Sequence, residues 1–275
     1  MGIGTIFNVI LVNPTINFLL LFLFIFTTWN IPGAFGWAII SLTIAIRLLL
    51  NPLFAKQMKT ARDIEMLRPK LAGLNDKHKN DKQRLQQEQL KLYQEHGINP
   101  ASGCVTGLIQ MPIFISLYQV LQLFLTHDVP KILEHVNGVA YTNLIKISSI
   151  NPWFFGINLA ETPSHFRTLG WYYLLVPVIT GVLQYYQISM QTPSQPAKKD
   201  AIEVKDSKKK GDDKDKKNDG DDMQAAMAKQ MKIMFPLMIG YFSYTFPVGL
   251  ALYWNIFSLF SIITSRKPKT WNIQK

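Results

Sequence analysis

The amino-acid sequence predicts an all-α polytopic membrane protein. The expected fold is a five-span helical bundle with a cytoplasmic helical hairpin and an outer interfacial N-terminal helix. Two observations carry that prediction. Lys, Arg, Asp and Glu are absent from 1–46, 100–126, 171–191 and 233–265, and nearly all of them lie between those stretches. A soluble domain intersperses charge with apolar residues at helical or strand period, so charge in blocks points to membrane spans. The blocks are also unequal: Lys+Arg number 10 in 55–99, 11 in 192–232 and 4 after 265, against 3 in 127–170. Short loops rich in Lys and Arg stay cytoplasmic, which places 55–99, 192–232 and the tail inside and 127–170 outside. The formal net charge of +11 is a loop property of this kind, so no sequence-specific nucleic-acid partner is expected.

Taken in order, 1–33 holds "PTINFLLLFLFIFTTW", apolar enough to enter a membrane but separated from the next span by only Asn30–Gly33. It reads as an interfacial or half-embedded helix on the outer side, with a full sixth span as the alternative. Its start has neither the basic region of a secretory signal nor an Arg/Ser-rich transit pattern, so no cleaved leader is expected. Span one is 34–54. Residues 55–99 read as a hairpin of two charged helices around the polar break "AGLNDKHKN", with a thin apolar stripe from Met58, Ile64, Leu67, Leu85, Leu92 and Tyr93. Asn99 before Pro100 is a good helix start and opens span two at 100–126. An outer segment, 127–168, leads to span three at 169–191. The Lys/Asp-rich stretch 192–230 reads as a largely disordered cytoplasmic linker. Pro247 and Gly249 divide the rest into span four (231–246) and span five (247–265), and 266–275 is a short basic tail. This puts the N-terminus outside and the C-terminus in the cytoplasm; a bacterial plasma membrane is the simplest address.

Arg47 is the first charged residue of the chain and sits inside an apolar run, with no Asp or Glu in any span to neutralise it. A charge at mid-bilayer costs ~2.5–3.5 kcal/mol on insertion scales. Either Arg47 snorkels to the cytoplasmic interface, or it lines a hydrated cavity between helices. Thr43 lies one turn earlier on its face, and Gln110, Gln184, Gln187, Ser243, Asn255 and Ser258 place a polar group in every other span. Single glutamines are commonly interhelical glue; the set with an unneutralised cation favours the cavity. Tyr253 and Trp254 lie well inside span five and suit a lining role as well as an interfacial one. Cys104 stands alone, and His78, His96, His127, His135 and His165 show no ligand spacing, so no disulfide framework, metal or cofactor is expected.

The stretch "LYQEHGINPASGCVTGLIQMPIFISLYQVL" (92–121) resembles the hallmark of the YidC/Oxa/Alb family of membrane protein insertases, and "TIAIRLLLNPL", "MLRPKL", "DKQRLQQE" and "FPVGLALYWNIFSL" match in order. The resemblance implies five spans around a groove open to the cytoplasm and to lipid. It assigns Arg47, Thr43, Gln184, Tyr253 and Trp254 to that groove, beside Gln110 from the polar pattern, and gives the hairpin the role of receiving substrates. It also implies nascent membrane proteins as substrates, with the ribosome, signal recognition particle machinery, Sec translocon and membrane lipid as candidate partners of a monomer. Against the family pattern, the sequence shows no large periplasmic domain and no lipoprotein signal, and its tail is short. No GxxxxGK[ST] motif is present, so guidance of transmembrane segments rather than bond chemistry is expected. A small-solute transporter is the alternative, though no internal repeat supports it.

Overall fold

The structure, a computed structural model, describes residues 3–78, 81–99, 102–125, 129–191 and 219–265. The remainder of the expected linker, 192–218, and the tail, 266–275, lie outside the described residues. Helix α1, Gly4–Thr28, contains a π-helical stretch at Asn8–Val12. Pro14 lies two residues past its end and has no N–H for the carbonyl of Ile10, so the wider turn absorbs the misfit. Ile16, Leu19, Leu20 and Leu23 form its buried face at helical spacing, packed along α2. At 25 residues α1 is long and apolar enough to cross a membrane by length and composition. Its middle is nevertheless tied to the 127–168 segment: the Asn17 side chain donates to the Val139 carbonyl (2.9 Å) and accepts from the Tyr141 amide (2.7 Å).

Helix α2 is Ala34–Leu49, and α3 begins at Asn51 and runs to Met66. The expected first span thus breaks at Leu50, because Pro52 cannot donate to the carbonyl of Leu48. The hairpin continues as α4, Arg68–Lys77, and α5, Lys82–Glu95, the latter capped by Asp81, which accepts from the Arg84 amide at 3.0 Å. Residues 72–77, expected to be part of the polar break, are helical. Leu67, ahead of Pro69, takes the bend instead, and Gln89 of α5 bonds Asn75 at 2.9 Å. Of the apolar stripe, Leu67 is buried and Leu85, Leu92 and Tyr93 are partly so.

Helix α6 is Ser102–Leu125 and α7 is Val129–Gly138. A two-residue hairpin follows, β1 (Trp153–Phe154) antiparallel to β2 (Ile157–Asn158), then α8, Phe166–Leu169. Helices α9 (Leu175–Gln191), α10 (Asp219–Thr245) and α11 (Val248–Ser265) complete the described chain. The start of α10 corrects the linker boundary: 219–230 is helix. Acidic residues suit a helix N-terminus and "MQAAMAKQM" is rich in helix formers. The added turns make 27 residues, ~40 Å at 1.5 Å per residue, where fourteen apolar residues alone would be short.

Helices α2 and α11 pack together at the centre, α1 covers α2, and α9 packs on both α10 and α11. At the α9–α10 crossing Gly181 faces Gly240, where an added Cβ would lie 3.5 Å from the Pro177 carbonyl. Thr180 and Ser243 share a hydroxyl hydrogen bond of 3.2 Å there, the small-residue packing and polar glue expected between membrane helices. The segment from α7 to Leu174 closes one end of the bundle as a cap. The amides of Val248 and Gly249, unpaired in any helix start, donate to the carbonyls of Glu161 and Leu159 at 2.9 Å each. The Asn158 amide donates to the Tyr173 hydroxyl at 2.9 Å. The α3–α5 hairpin occupies the opposite end.

Candidate functional site

Arg47 occupies the last turn of α2 and is 5% exposed. Its guanidinium turns inward. One Nη donates to the Phe257 carbonyl (3.0 Å) and to the Ser261 hydroxyl, and the carbon at its centre sits 3.4 Å from the Phe257 ring centroid and 4.5 Å from that of Phe54. Two aromatic faces and a carbonyl dipole replace part of the hydration a buried cation loses. Among the described residues no carboxylate contacts it.

A cavity of about 740 Å³ opens beside this arginine and receives side chains from six helices. Part of the lining comes from α2, α9 and α11: Arg47, Gln184, Gln187, Tyr253, Trp254 and Phe257. Gln184 accepts from Ser258 at 3.1 Å. Arg47 Nε and Gln187 Oε1 are buried there and have no hydrogen-bond partner among the described residues. A polar atom buried without a partner is costly, so both atoms raise the energy of this packing. The lining contributed by α6 and α10 is largely apolar: Met111, Phe114 and Tyr118, then Phe235, Met238, Ile239 and Phe242, with Phe246 just past α10 and Phe54 of α3. Tyr118 meets Phe246 at 5.6 Å between ring centroids, joining α6 to the top of α10 beneath the cap. Phe114 stacks on Trp254 at 5.2 Å.

Of the residues singled out from sequence, Arg47, Gln184, Tyr253 and Trp254 come together on this cavity. Thr43 does not. It is buried, its hydroxyl donates to the Ile39 carbonyl at 2.7 Å, and it supports α2 behind the arginine; a threonine that bonds its own helix needs no cavity. Gln110 lies on α6, with its side chain outside the described residues. Ser243 and Ser258 serve as interhelical bonds to Thr180 and Gln184. Two features escaped the sequence: Ser261 as the partner of Arg47, and the aromatic lining; Gln187, part of the polar set there but not assigned to the groove, lines the cavity. A signal existed for the aromatic lining, since Met111, Phe114 and Tyr118 recur at i, i+3, i+7 within "QMPIFISLY".

The sequence model of the 60Kd inner membrane protein family matches residues 25–271. The membrane protein insertase YidC of Oceanobacillus iheyensis is 30% identical over 253 residues, covering 87% of this chain and 79% of that protein. That of Granulibacter bethesdensis is 30% identical over 90% of this chain but only 36% of its own length, and that of Dechloromonas aromatica is 32% identical over 84% of this chain and 32% of its own. The chain thus spans about a third of the length of these last two. A YidC insertase crystal structure with its first transmembrane domain resolved aligns with a TM-score of 0.49 at 25% identity, over 90% of this chain and 46% of that one.

Proposed function

This chain belongs to the 60Kd inner membrane protein family, and on that premise we propose that it is a membrane protein insertase, guiding transmembrane segments of nascent proteins from the cytoplasm into the bilayer. The observation that carries the reading is one cavity lined by both polar, cationic side chains and a large apolar surface. A substrate's polar tail needs a path with hydrogen-bonding groups and positive charge; its apolar segment needs a surface from which lipid is the better solvent. Arg47, Gln184 and Gln187 meet the first need and the α6–α10 lining the second. Arg47, Gln184, Tyr253 and Trp254 are the proposed groove residues, with Gln187 added to them and Thr43 reassigned to holding α2.

In this mechanism the cap end lies outside and the hairpin end in the cytoplasm, as the 25-to-3 division of loop Lys+Arg supports. Nascent chains arrive at the hairpin end, where α3–α5 meets them and their delivery partners. An acidic tail is drawn to Arg47 and held part-way across the barrier. The apolar segment then leaves between α6 and α10, driven by burial of ~20 apolar residues in hydrocarbon. The N-terminal helix lies half-embedded on the outer side, a placement favoured by the hold Asn17 has on Val139 and Tyr141. A groove walled by stacked aromatics and joined across α6 and α10 through Tyr118 and Phe246 fits a helix better than a small solute.

The test is protease-protected insertion into vesicles carrying equal amounts of each variant, with matched substrates differing only in tail charge. Arg47→Lys keeps a cation and should retain much of the activity. Arg47→Ala should lose insertion of acidic-tailed substrates on the order of tenfold, the ~1.4 kcal/mol that one unit-charge contact supplies in a partly wet groove, while neutral tails lose less. Equal losses for both tails would overturn the electrostatic step and leave Arg47 as a packing residue.

A further inference from the structure

We propose that the tip of the β1–β2 hairpin is a membrane-surface anchor, seated in the headgroup region of the leaflet at the cap end. The turn joining the strands is Phe155–Gly156, and both residues have positive φ, 47° and 81°. A two-residue turn with both φ positive suits Asn-Gly, because a bulky side chain is strained there. This chain nevertheless puts phenylalanine in the first position and leaves it 76% exposed. Strain held at an exposed aromatic points to a use for that aromatic.

The packing fixes its depth. Phe154 lies against Gly33 and Gly36 at the start of α2, where any Cβ would collide with its ring. The Phe155 ring meets Trp37 edge-on at 6.2 Å. Trp37 is one turn inside the end of α2, so the tip sits within ~5 Å, one helical pitch, of where that helix leaves the hydrocarbon. Trp153 on β1 and Trp29 at the end of α1 are 53% and 70% exposed. Tryptophan is enriched at this depth because its ring is apolar and its N–H finds water. A lipid headgroup layer therefore suits this patch: its exposed rings sit beside the start of α2, against Gly33, Gly36 and Trp37.

The inference rests on α2 crossing the membrane, and the experiment separates the two. In a Cys104→Ser background, nitroxide labels are placed singly at Phe155→Cys and, on the neighbouring strand, Trp153→Cys. Val182→Cys, exposed on α9, serves as the span control and Lys91→Cys, exposed on α5, as the water control. Collision rates with oxygen, which concentrates in lipid, and with a water-soluble nickel chelate are measured in phospholipid vesicles. The anchor predicts oxygen-to-nickel ratios at 155 and 153 several-fold above Lys91→Cys and below Val182→Cys. Water-like ratios at 155 and 153 with a lipid-like Val182→Cys overturn the anchor alone; a water-like Val182→Cys overturns the membrane reading. Labels shielded from both reagents place the tip against protein and also overturn the anchor.

Discussion

The two ends of the bundle are joined to their helices by opposite means. At the cap end the connections run to backbone groups: Glu161 and Leu159 satisfy the start of α11, the buried Asn17 clasps residues 139 and 141, and the part-buried Asn137 pairs with both polar groups of Ile147 at 2.9 and 3.0 Å. At the hairpin end α4 and α5 meet through exposed or partly exposed side chains, Lys70 with His96 at 2.9 Å and Gln89 with Asn75. Breaking the first set strands backbone groups that no neighbouring side chain replaces, whereas water takes over an exposed contact such as Lys70–His96 at little cost. The molecule therefore has one end held by hydrogen bonds across elements and another whose surface contacts rearrange at lower cost.

That contrast can be broken at the cap and sharpened at the hairpin. The largest loss is expected from Asn17→Leu, which leaves the Val139 carbonyl and the Tyr141 amide without their partner. It should cost about 2–4 kcal/mol and lower the thermal midpoint in detergent clearly; an unchanged midpoint would mean that water reaches the cap. Next comes Gly36→Ala, whose methyl must displace the Phe154 ring. About 1–3 kcal/mol is expected, together with faster proteolysis in 150–160, and no change in either would show that the hairpin docks loosely. The smallest effect belongs to Lys70→Ala, within ~0.5 kcal/mol as for ordinary surface changes. A loss there as large as at Gly36 would erase the distinction between the ends.

Much of this was legible in the linear chain. The all-α membrane class followed from where charge is absent, a local property. Arg47, Gln184, Tyr253 and Trp254 stood out because polar or amphipathic groups are rare in apolar spans and costly enough to need a reason. The aromatic lining could not stand out in the same way. Phe114 or Phe242 in an apolar helix has the same composition whether it faces lipid or a cavity, and only the neighbour across the gap distinguishes them. Gln187 and Thr43 exchanged roles for a related reason. The face of α9 that carries Gln187 meets the cavity, while Thr43 is satisfied within α2.

The sequence by itself determined the helical membrane class, the sidedness expected from its basic loops, and a cation inside an apolar run with no Asp or Glu in any predicted span. All of these depend on composition within one segment. Tertiary structure alone decided that Arg47 is held by Phe257 and Ser261, that residues 219–230 continue α10, and that a hairpin of two-residue strands closes the cap against Gly33 and Gly36. The first depends on groups far apart in the chain, Arg47 and Ser261 by 214 positions, and the last on strands too short to show a period; the start of α10 had local helix formers, masked by the dense Lys/Asp charge before it. Local pattern carries no information about which distant surface will arrive to satisfy a group; packing supplies it.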